Sequence, residues 1–453
     1  MIESWHDQQV LILGAARQGK ALARYLLAQG ARVTLNDAKP VQALELDDLA
    51  ELEGLNVVGG GHPLGLLDGC TLVCVSGGVP LDLPIVREAQ RRGIPLTNDA
   101  QLFIERCPAP VVGITGSAGK TTTTTLVGEM LKQAGQRVWV GGNIGNPLIT
   151  DLAHIQADDV VVMELSSFQL ELMTRSPHIA CITNITPNHL DRHGTMEAYV
   201  AAKRRILDFQ SPSDWRVLCA DNPITVQMGK PERTVWFSAH PLPPDQEGAW
   251  LDAGRTLRLR LHGQEQVIAH RNDLKLMGEH NILNVLAASA ISVLAGAPIE
   301  AVRTVATSFR GVAHRLELVS ERGGVRWYDD SIATAPERLI AALNSFEQPV
   351  ILLCGGRDKH LPWDEAARLM RARCKAIVLF GEMGPMVAEH LRAAAGEAPW
   401  VITPSLREAV RAAQQIAQPG DVVLLSPGGT SYDEFKDFAE RGDKFRQWVN
   451  EQW

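Results

Sequence analysis

Short apolar runs recur along this chain, and each ends in glycine or a polar residue. The stretch QQVLILGAARQGKALARYLLAQGARVTLND, residues 8–37, sets the pattern: an apolar run, a glycine-bearing turn, a helical stretch, and a second apolar run ending at Asp37. That order predicts one β-α-β unit. VVGG (57–60), CTLVCVSGG (70–78) and IPLTND (94–99) continue it. A second segment opens with PVVGITGS (110–117) and contains DVVVMELSS (159–167) and IACITNIT (179–186). Runs this apolar, separated by helical stretches, predict parallel strands covered on both faces. A third segment begins near Gly311 and contains PVILLCGG (349–356), KAIVLFGE (375–382) and DVVLLSPGG (421–429), with helices such as WDEAARLMRAR (363–373) between them. Strands that end in glycine place their loops at the carboxyl edge of a sheet, where α/β ligand sites form.

FIERCPAP, residues 103–110, carries two prolines and reads as a first linker; residues 295–315 hold a second boundary. The domains expected are 1–102, 103–307 and 308–453. Within the middle one, HPLPPDQEGAW (240–250) reads as a loop, and LRLRLHGQEQVIA (257–269) alternates like an antiparallel hairpin. The fold class expected is α/β in three domains: a Rossmann-like N-terminal domain, a central P-loop ATPase-like domain with a mostly parallel sheet, and a Rossmann-like C-terminal domain.

Composition narrows the function classes. A chain of 453 residues is too long for one ordinary core. A net charge of −8 argues against a nucleic-acid partner. No apolar run reaches the roughly 18 residues of a membrane span. The acidic start MIESWHDQQVLILG has too short an apolar run for a secretory signal. Seven scattered cysteines without a C-x-x-C pair predict free thiols in a reducing cytoplasm.

The chemistry centres on VVGITGSAGKTTTTTLVGEML, residues 111–131. A general Walker loop ending at Lys120 needs glycine at position 114, which is Ile114 here. The strand–loop–helix context is nevertheless that of a phosphate site. Gly116 and Gly119 let backbone N–H groups turn inward around Ser117 and Ala118. Lys120 supplies charge for phosphates, Thr121 a hydroxyl for Mg2+, and the helix start its dipole. Thr122 is placed to touch a phosphate, whereas Thr123 to Thr125 read as helix packing. Glu164 ends a strand, where a carboxylate can hold Mg2+ or simply be solvated. TNITPNHLDRHG (183–194) offers His189, Asp191 and His193 after the next strand. Lys203, read alone, is an ordinary surface lysine. In the N-terminal domain, GAARQG has Ala16 where a dinucleotide fingerprint has its middle glycine. That disfavours NAD and leaves Ala15, Arg17, Asp37 and Lys39 as candidate contacts for a UDP group.

Taken together, TGSAGKTT, GGNIGNP, ELSSFQLE, NITPNHLDRHG, AAK, GEHNILN, GVAHRLE, DDSIATAPE, GGRDKH and SPGGTSYDEFKDFAERG run nearly the length of the chain. In this order they resemble the Mur ligase superfamily of ATP-dependent amino-acid ligases. The resemblance is strongest to its glutamate-adding branch, which builds peptidoglycan precursors. It implies that the N-terminal domain holds UDP-N-acetylmuramoyl-L-alanine, the central domain ATP and the C-terminal domain glutamate. ATP then activates the substrate carboxylate as an acyl phosphate, which the glutamate amine attacks. Residue by residue, it assigns Lys120 and Thr121 to the phosphates and first Mg2+, and Glu164 and His189 to a second Mg2+. Lys203 becomes a carbamylated lysine supporting that metal, and Asn143 a substrate contact. Asn284, Arg315 and Asp330 fall on the nucleotide; Thr334, Lys359, Ser431 and Phe438 clasp glutamate. A monomer is expected.

Two stretches depart from that branch: DSIATA replaces DSKATN, with Ile332 and Ala335 for polar residues, and SPGGTS replaces SPACAS. Both flank the amino-acid pocket, so D- and L-glutamate stay open, as does another amino-acid ligase of the superfamily. A folylpolyglutamate synthase would lack the roughly 100-residue domain before the phosphate loop. A non-catalytic regulator on the same fold would be expected to lose Lys120, Glu164, His189 or Lys203, and all are present.

Overall fold

The computed structural model describes residues 4–451 except 7, 45, 47, 48, 50, 51, 146, 277, 347 and 360, and the Asp191 backbone without its side chain. The chain forms two compact units, Met1–Phe309 and Arg310–Trp453. Two sheets lie in the first and one in the second, which makes three α/β domains.

The first sheet is wholly parallel and contains β1 (Gln9–Leu13), β2 (Arg32–Asn36), β3 (Leu55–Val58), β4 (Leu72–Val75) and β5 (Leu96–Thr97) in the order β3-β2-β1-β4-β5. It alternates with helices α1 (Arg17–Ala28), α2 (Pro84–Arg91) and α3 (Asp99–Arg106). The order reverses between β1 and β4, the kind of crevice in which such sheets bind ligands. The linker expected at 103–110 is shorter than the sequence suggested. Residues Phe103–Arg106 complete α3, because the first proline comes only at Pro108 and leaves the helix its hydrogen bonds.

The second sheet has nine strands: β6 (Val111–Thr115), β7 (Val138–Gly142), β8 (Val160–Glu164), β9 (Ile179–Ile182), β10 (Trp215–Cys219), β11 (Thr234–Ser238), β12 (Gly248–Leu251), β13 (Thr256–Leu261) and β14 (Gln264–His270). Their order is β14-β13-β12-β11-β10-β9-β6-β8-β7. β6 to β12 run parallel, and β13 and β14 form the expected antiparallel hairpin. The loop expected at 240–250 ends earlier. Gly248, Ala249 and Trp250 belong to β12 and pair with β11, and at Gly248 a Cβ would meet the Trp236 carbonyl oxygen at 2.2 Å. Glycine therefore serves a close strand approach there rather than a turn.

Helices of this domain are α4 (Lys120–Gln133), α5 (Ser167–Leu170), α6 (Leu190–His193), α7 (Met196–Asp208), α8 (Pro223–Val226), α9 (His280–Leu294) and α10 (Ile299–Ser308). Every residue of β8 is buried; its apolar run Val160–Met163 suits a strand between two helical layers, and Glu164 closes it. Burying each such valine contributes roughly 1.5–3 kcal/mol. One apolar cluster joins the first two domains, with Leu26 of α1 and Phe103 of α3 from the first and Val161 of β8 and Met173 from the second. Polar contacts cross the same junction: Asn98 Nδ2 donates to the Gln169 carbonyl at 2.7 Å, and the Thr174 N–H to Gln101 Oε1 at 2.8 Å.

The second unit holds β15 (Glu317–Arg322), β16 (Val325–Asp329), β17 (Val350–Gly355), β18 (Cys374–Phe380), β19 (Trp400–Ile402) and β20 (Val422–Gly428), in the order β15-β16-β20-β17-β18-β19. Only β15 is antiparallel to its neighbour. Helices α11 (Pro336–Leu343), α12 (Asp364–Arg373), α13 (Gly384–Ala393), α14 (Leu406–Ile416) and α15 (Phe438–Glu451) cover it. Among the described residues, no helix is long and apolar enough to cross a membrane.

Candidate functional site

β6 delivers the chain into a loop of four residues, and α4 leaves it at Lys120. Two glycines make the turn possible. Gly119 caps α4 with φ +83°, and a Cβ there would meet Asn284 Oδ1 at 2.3 Å. At Gly116, with φ +152°, a Cβ would lie 1.9 Å from Thr183 Oγ1. The loop is fastened from the strand beside it. Asn184 Oδ1 accepts the Ala118 N–H at 2.9 Å, its amide donates to the Ala118 carbonyl at 3.1 Å, and Thr183 Oγ1 donates to the same carbonyl at 2.6 Å. Thr183 and Asn184 are site residues that the sequence did not single out; their signal was the strand end opposite the loop.

The later threonines are packing residues. Thr123 and Thr124 are fully buried, and Thr125 Oγ1 donates back to the Thr121 carbonyl at 2.9 Å, a way for threonine to sit in a helix. Thr123 Oγ1 also reaches Asn284 Oδ1 at 3.4 Å, and Asn284 Nδ2 donates to Asn281 Oδ1 at 2.7 Å. Asn284 thus stands beside the glycine that caps the phosphate helix.

Glu164 is the hub. It is 1% exposed, and its two oxygens accept from Thr121 Oγ1 at 2.8 Å and from Asn143 Nδ2 at 2.9 Å. Three elements, α4, β8 and the turn after β7, therefore bring their polar ends to one carboxylate. The Arg17 guanidinium reaches the Asn143 carbonyl at 3.3 Å, so the first domain's turn arrives at the same place. In that turn the Ala15 N–H donates to Asp37 Oδ2 at 2.8 Å and the Lys39 N–H to Asp37 Oδ1 at 2.9 Å. Arg17 and Lys39 remain exposed.

Lys203 corrects the surface reading. It is 2% exposed, and Nζ donates to the Gly116 carbonyl at 2.9 Å and to Thr115 Oγ1 at 3.3 Å. Burial, followed by the Lys120 charge, lowers its pKa to about 7, against the opposing pull of Glu164. Spacing alone could not reveal this, because what buries Lys203 is the packing of α7 against the loop. Lys120 Nζ lies 3.0 Å from the Gly116 carbonyl. His189 caps α6 with φ 53°, and its ring meets Phe168 edge-on at 5.3 Å.

Hard oxygen donors, the Thr121 hydroxyl and the Glu164 carboxylate, beside a phosphate loop suit Mg2+. Among the described residues, the one group of three His or acidic side chains close enough together to hold a metal ion is His314, Glu317 and Asp329. It is better explained by hydrogen bonds. His314 Nδ1 lies 2.8 Å from Asp329 Oδ2, and Glu317 Oε2 accepts both the His314 N–H and Arg446.

In the second unit, the expected residues sit at the carboxyl end of its sheet. Asp330 follows β16; Ser426 Oγ donates to Asp330 Oδ2 at 2.9 Å and the Leu316 N–H to Oδ1 at 3.2 Å. Burial pushes the Asp330 carboxyl up to about 7 despite those donors and Arg315. Arg315 is exposed between His314 (φ 61°) and Leu316 (φ 45°), two left-handed residues with side chains. Such local strain often accompanies function. Lys359 Nζ donates to Thr334 Oγ1 at 3.1 Å. Burial, then Arg338 and Arg441, lower the Lys359 pKa, so the surroundings are already positive. Ser431 is 2% exposed, and Phe438 lies 37% open to solvent. Arg441, which the sequence reading missed, ties this region together. It is fully buried and donates to Ser331 Oγ, the Ser331 carbonyl and the Gly429 carbonyl at 2.9, 2.9 and 3.1 Å.

Comparison with known proteins follows the same division. Residues 8–98 match the family model of the Mur ligase MurD-like N-terminal domain, residues 114–292 the Mur ligase middle domain, and residues 314–429 the Mur ligase glutamate ligase domain. The UDP-N-acetylmuramoylalanine–D-glutamate ligase of Symbiobacterium thermophilum is 44% identical over 448 residues, covering 98% of each chain. The protein of the same name from Pelotomaculum thermopropionicum is 42% identical over 454 residues, covering 99% of each. Among solved structures, UDP-N-acetylmuramate-alanine ligase of Thermotoga maritima matches with TM-score 0.54 and 21% identity, over 98% of this chain and 99% of that one. At that identity the likeness is one of fold.

Proposed function

The chain belongs to the Mur ligase family, and from that premise we propose that it joins D-glutamate to UDP-N-acetylmuramoyl-L-alanine at the expense of ATP. It is an ATP-dependent acid–amino-acid ligase of peptidoglycan precursor synthesis, and its substrates are small molecules. The observation that carries the reading is the meeting of the phosphate loop, Glu164 and the buried Lys203 in one place. The relatives' shared name supplies D-glutamate.

The chemistry requires a leaving group, because a carboxylate resists attack by an amine. A carboxylate oxygen of the alanyl group attacks the γ-phosphorus of ATP, and the bond to ADP breaks. The amine nitrogen of glutamate then attacks the acyl-phosphate carbon, loses a proton and expels inorganic phosphate, leaving an amide. Positioning and charge do most of such work. In our assignment, the Gly116–Thr122 loop and Lys120 hold the phosphates, with Asn284, Arg315 and Asp330 on the rest of the nucleotide. Ala15, Arg17, Asp37 and Lys39 take the UDP group, and Asn143 the end of the substrate near the phosphates. Thr334, Lys359, Ser431 and Phe438 take glutamate, whose two carboxylates suit a positive, hydroxyl-lined pocket.

Mg2+ supplies charge neutralisation on the transferring phosphoryl group when bound. Thr121 is assigned to one ion, and Glu164 and His189, supported by Lys203, to a second. A buried amine with pKa about 7 is largely neutral in mildly alkaline solution. Its nitrogen can then add to the carbon of CO2 and release a proton, giving a carbamate anion. The proposal includes the division of labour among residues 1–102, 103–307 and 308–453. It also places the protein in the cytoplasm, consistent with seven free cysteines, and takes it to be a monomer.

The test is phosphate release from ATP with UDP-N-acetylmuramoyl-L-alanine, offering D-glutamate, L-glutamate, D-aspartate and L-lysine separately. D-glutamate should give turnover. Turnover with L-glutamate alone would move the reading to the opposite isomer, and none with either would overturn it.

A further inference from the structure

His189 occupies the cap of a helix only four residues long, in a left-handed conformation with φ 53°. So short a helix offers an exposed imidazole little rigidity. The ring is held by a row of neighbours instead. Phe168 meets it edge-on, with centroids 5.3 Å apart and planes at 62°. Phe168 is fixed in turn. The His193 ring stacks on it at 5.1 Å with planes 4° apart, and the Arg192 guanidinium carbon lies 4.8 Å from its centroid. Arg192 also donates to the Gly78 carbonyl at 3.3 Å, which anchors this cation to the first domain.

His193 is the immobile end of the stack. Its side chain is 1% exposed; Nδ1 lies 3.1 Å from Glu171 Oε1, and Nε2 2.9 Å from Ser167 Oγ. Both nitrogens are engaged, which opposes rotation of the ring and leaves neither for a metal ion. Its next neighbour is Tyr199, 5.1 Å away, whose hydroxyl lies 2.9 Å from Ser117 Oγ in the phosphate loop. A continuous row thus runs from His189 through Phe168, His193 and Tyr199 to the loop.

We infer that Phe168 and His193 are positioning residues that hold the His189 imidazole ready to ligate a divalent cation. The inference rests on the reading of His189 as a ligand. Its physical basis is pre-organisation: a ring already restricted loses less freedom when the cation binds. Groups that orient a metal ligand commonly change metal affinity by 10- to 100-fold when removed.

The experiment measures Mn2+ binding by electron paramagnetic resonance, using the full-length protein with a non-hydrolysable ATP analogue and UDP-N-acetylmuramoyl-L-alanine. Phe168→Leu should weaken Mn2+ binding about tenfold and lower kcat, while the KM for glutamate stays unchanged. Phe168→Tyr, which keeps the ring, should retain wild-type affinity. Ser167→Ala removes only one buried hydroxyl and frees His193 Nε2, so it serves where Phe168→Leu fails to fold, and it should weaken Mn2+ in the same direction. Wild-type affinity in Phe168→Leu, or in Ser167→Ala where that variant stands in, overturns the inference if His189→Ala binds Mn2+ weakly. Unchanged affinity in His189→Ala removes the ligand assignment itself, and the inference with it.

Discussion

The Thr121 hydroxyl donates to Glu164 Oε2 across 2.8 Å, binding the first turn of the phosphate helix to the end of the neighbouring strand. The contact places a hydroxyl and a carboxylate side by side before any cation arrives. Asn143 holds the other oxygen of the same carboxylate at 2.9 Å, so Glu164 has little freedom left to lose.

Glu164→Gln keeps the shape but removes the charge, and one end of the amide becomes a donor facing Thr121 or Asn143. We expect kcat to fall by about 100-fold or more, as for loss of a metal ligand or its close support. Steady-state phosphate release over a Mg2+ titration measures it. Activity within about twofold of wild type would take Glu164 out of the site.

Gly119→Ala tests the loop. The new methyl group would face Asn284 Oδ1 at 2.3 Å from a left-handed backbone. Either the cap of α4 or Asn284 must shift, and both are assigned to the nucleotide. The dissociation constant for ATP, by calorimetry, should rise at least about tenfold, a loss of about 1.4 kcal/mol. The domain itself should still fold.

Lys203→Ala should lose most activity, with partial return when a small carboxylate such as formate or acetate is supplied. Unchanged activity would show that the buried amine is structural. The wild-type enzyme, stripped of CO2, should lose activity and regain it under a fixed partial pressure of CO2, faster at pH 8 than at pH 6. The sign follows from a pKa of about 7: more of the amine is neutral at the higher pH, and only the neutral amine adds to CO2.

Lys359→Ala should raise the KM for glutamate by at least about tenfold, the scale on which losing a charge-assisted contact acts. The KM for ATP should change little. An equal rise in both would place Lys359 elsewhere in the reaction.

A pH-dependent contribution to stability belongs to Asp99, a buried acid at the start of α3. Burial raises its pKa from 3.8 to about 6, against the Gln169 side chain, nearby backbone N–H groups and Arg17. Between those values the folded chain keeps a proton that the unfolded chain has released. Its contribution to stability therefore falls as pH rises from about 4 to about 6 and stays low above that. Asp99→Asn cannot titrate, so the difference in unfolding free energy between variant and wild type should grow over that window. Urea unfolding from pH 4 to pH 8 measures it. A constant difference would place the titration on another group.

Much of this protein was legible in its order of residues. All-apolar runs such as VVVM between helical stretches specify buried parallel strands, because a strand covered on both faces has no polar side to show. The alternation in LRLRL specifies the hairpin for the converse reason. Gly116, Gly119, Lys120 and Thr121 lie close together in sequence, so their loop could be read locally, and Glu164 announced itself by ending a strand. Edges were less legible: α3 extends to Arg106 and β12 begins at Gly248, since proline and glycine disfavour structure only where their own backbone must adopt it.

The tertiary structure decided what depends on distance through space. Lys203 reads as a surface lysine until α7 packs against the phosphate loop and takes its amine out of water. Thr183, Asn184 and Arg441 carry no motif of their own; hydrogen bonds to backbone made elsewhere in the chain give them their place. Phe168 and His193 read as parts of two separate stretches, and only the fold stacks one ring on the other. Strands, loop and the kinds of groups present follow from local periodicity and backbone sterics, so the order of residues was enough for them. Burial, orientation and shifted acidity arise between segments far apart in the chain, so they had to wait for the fold.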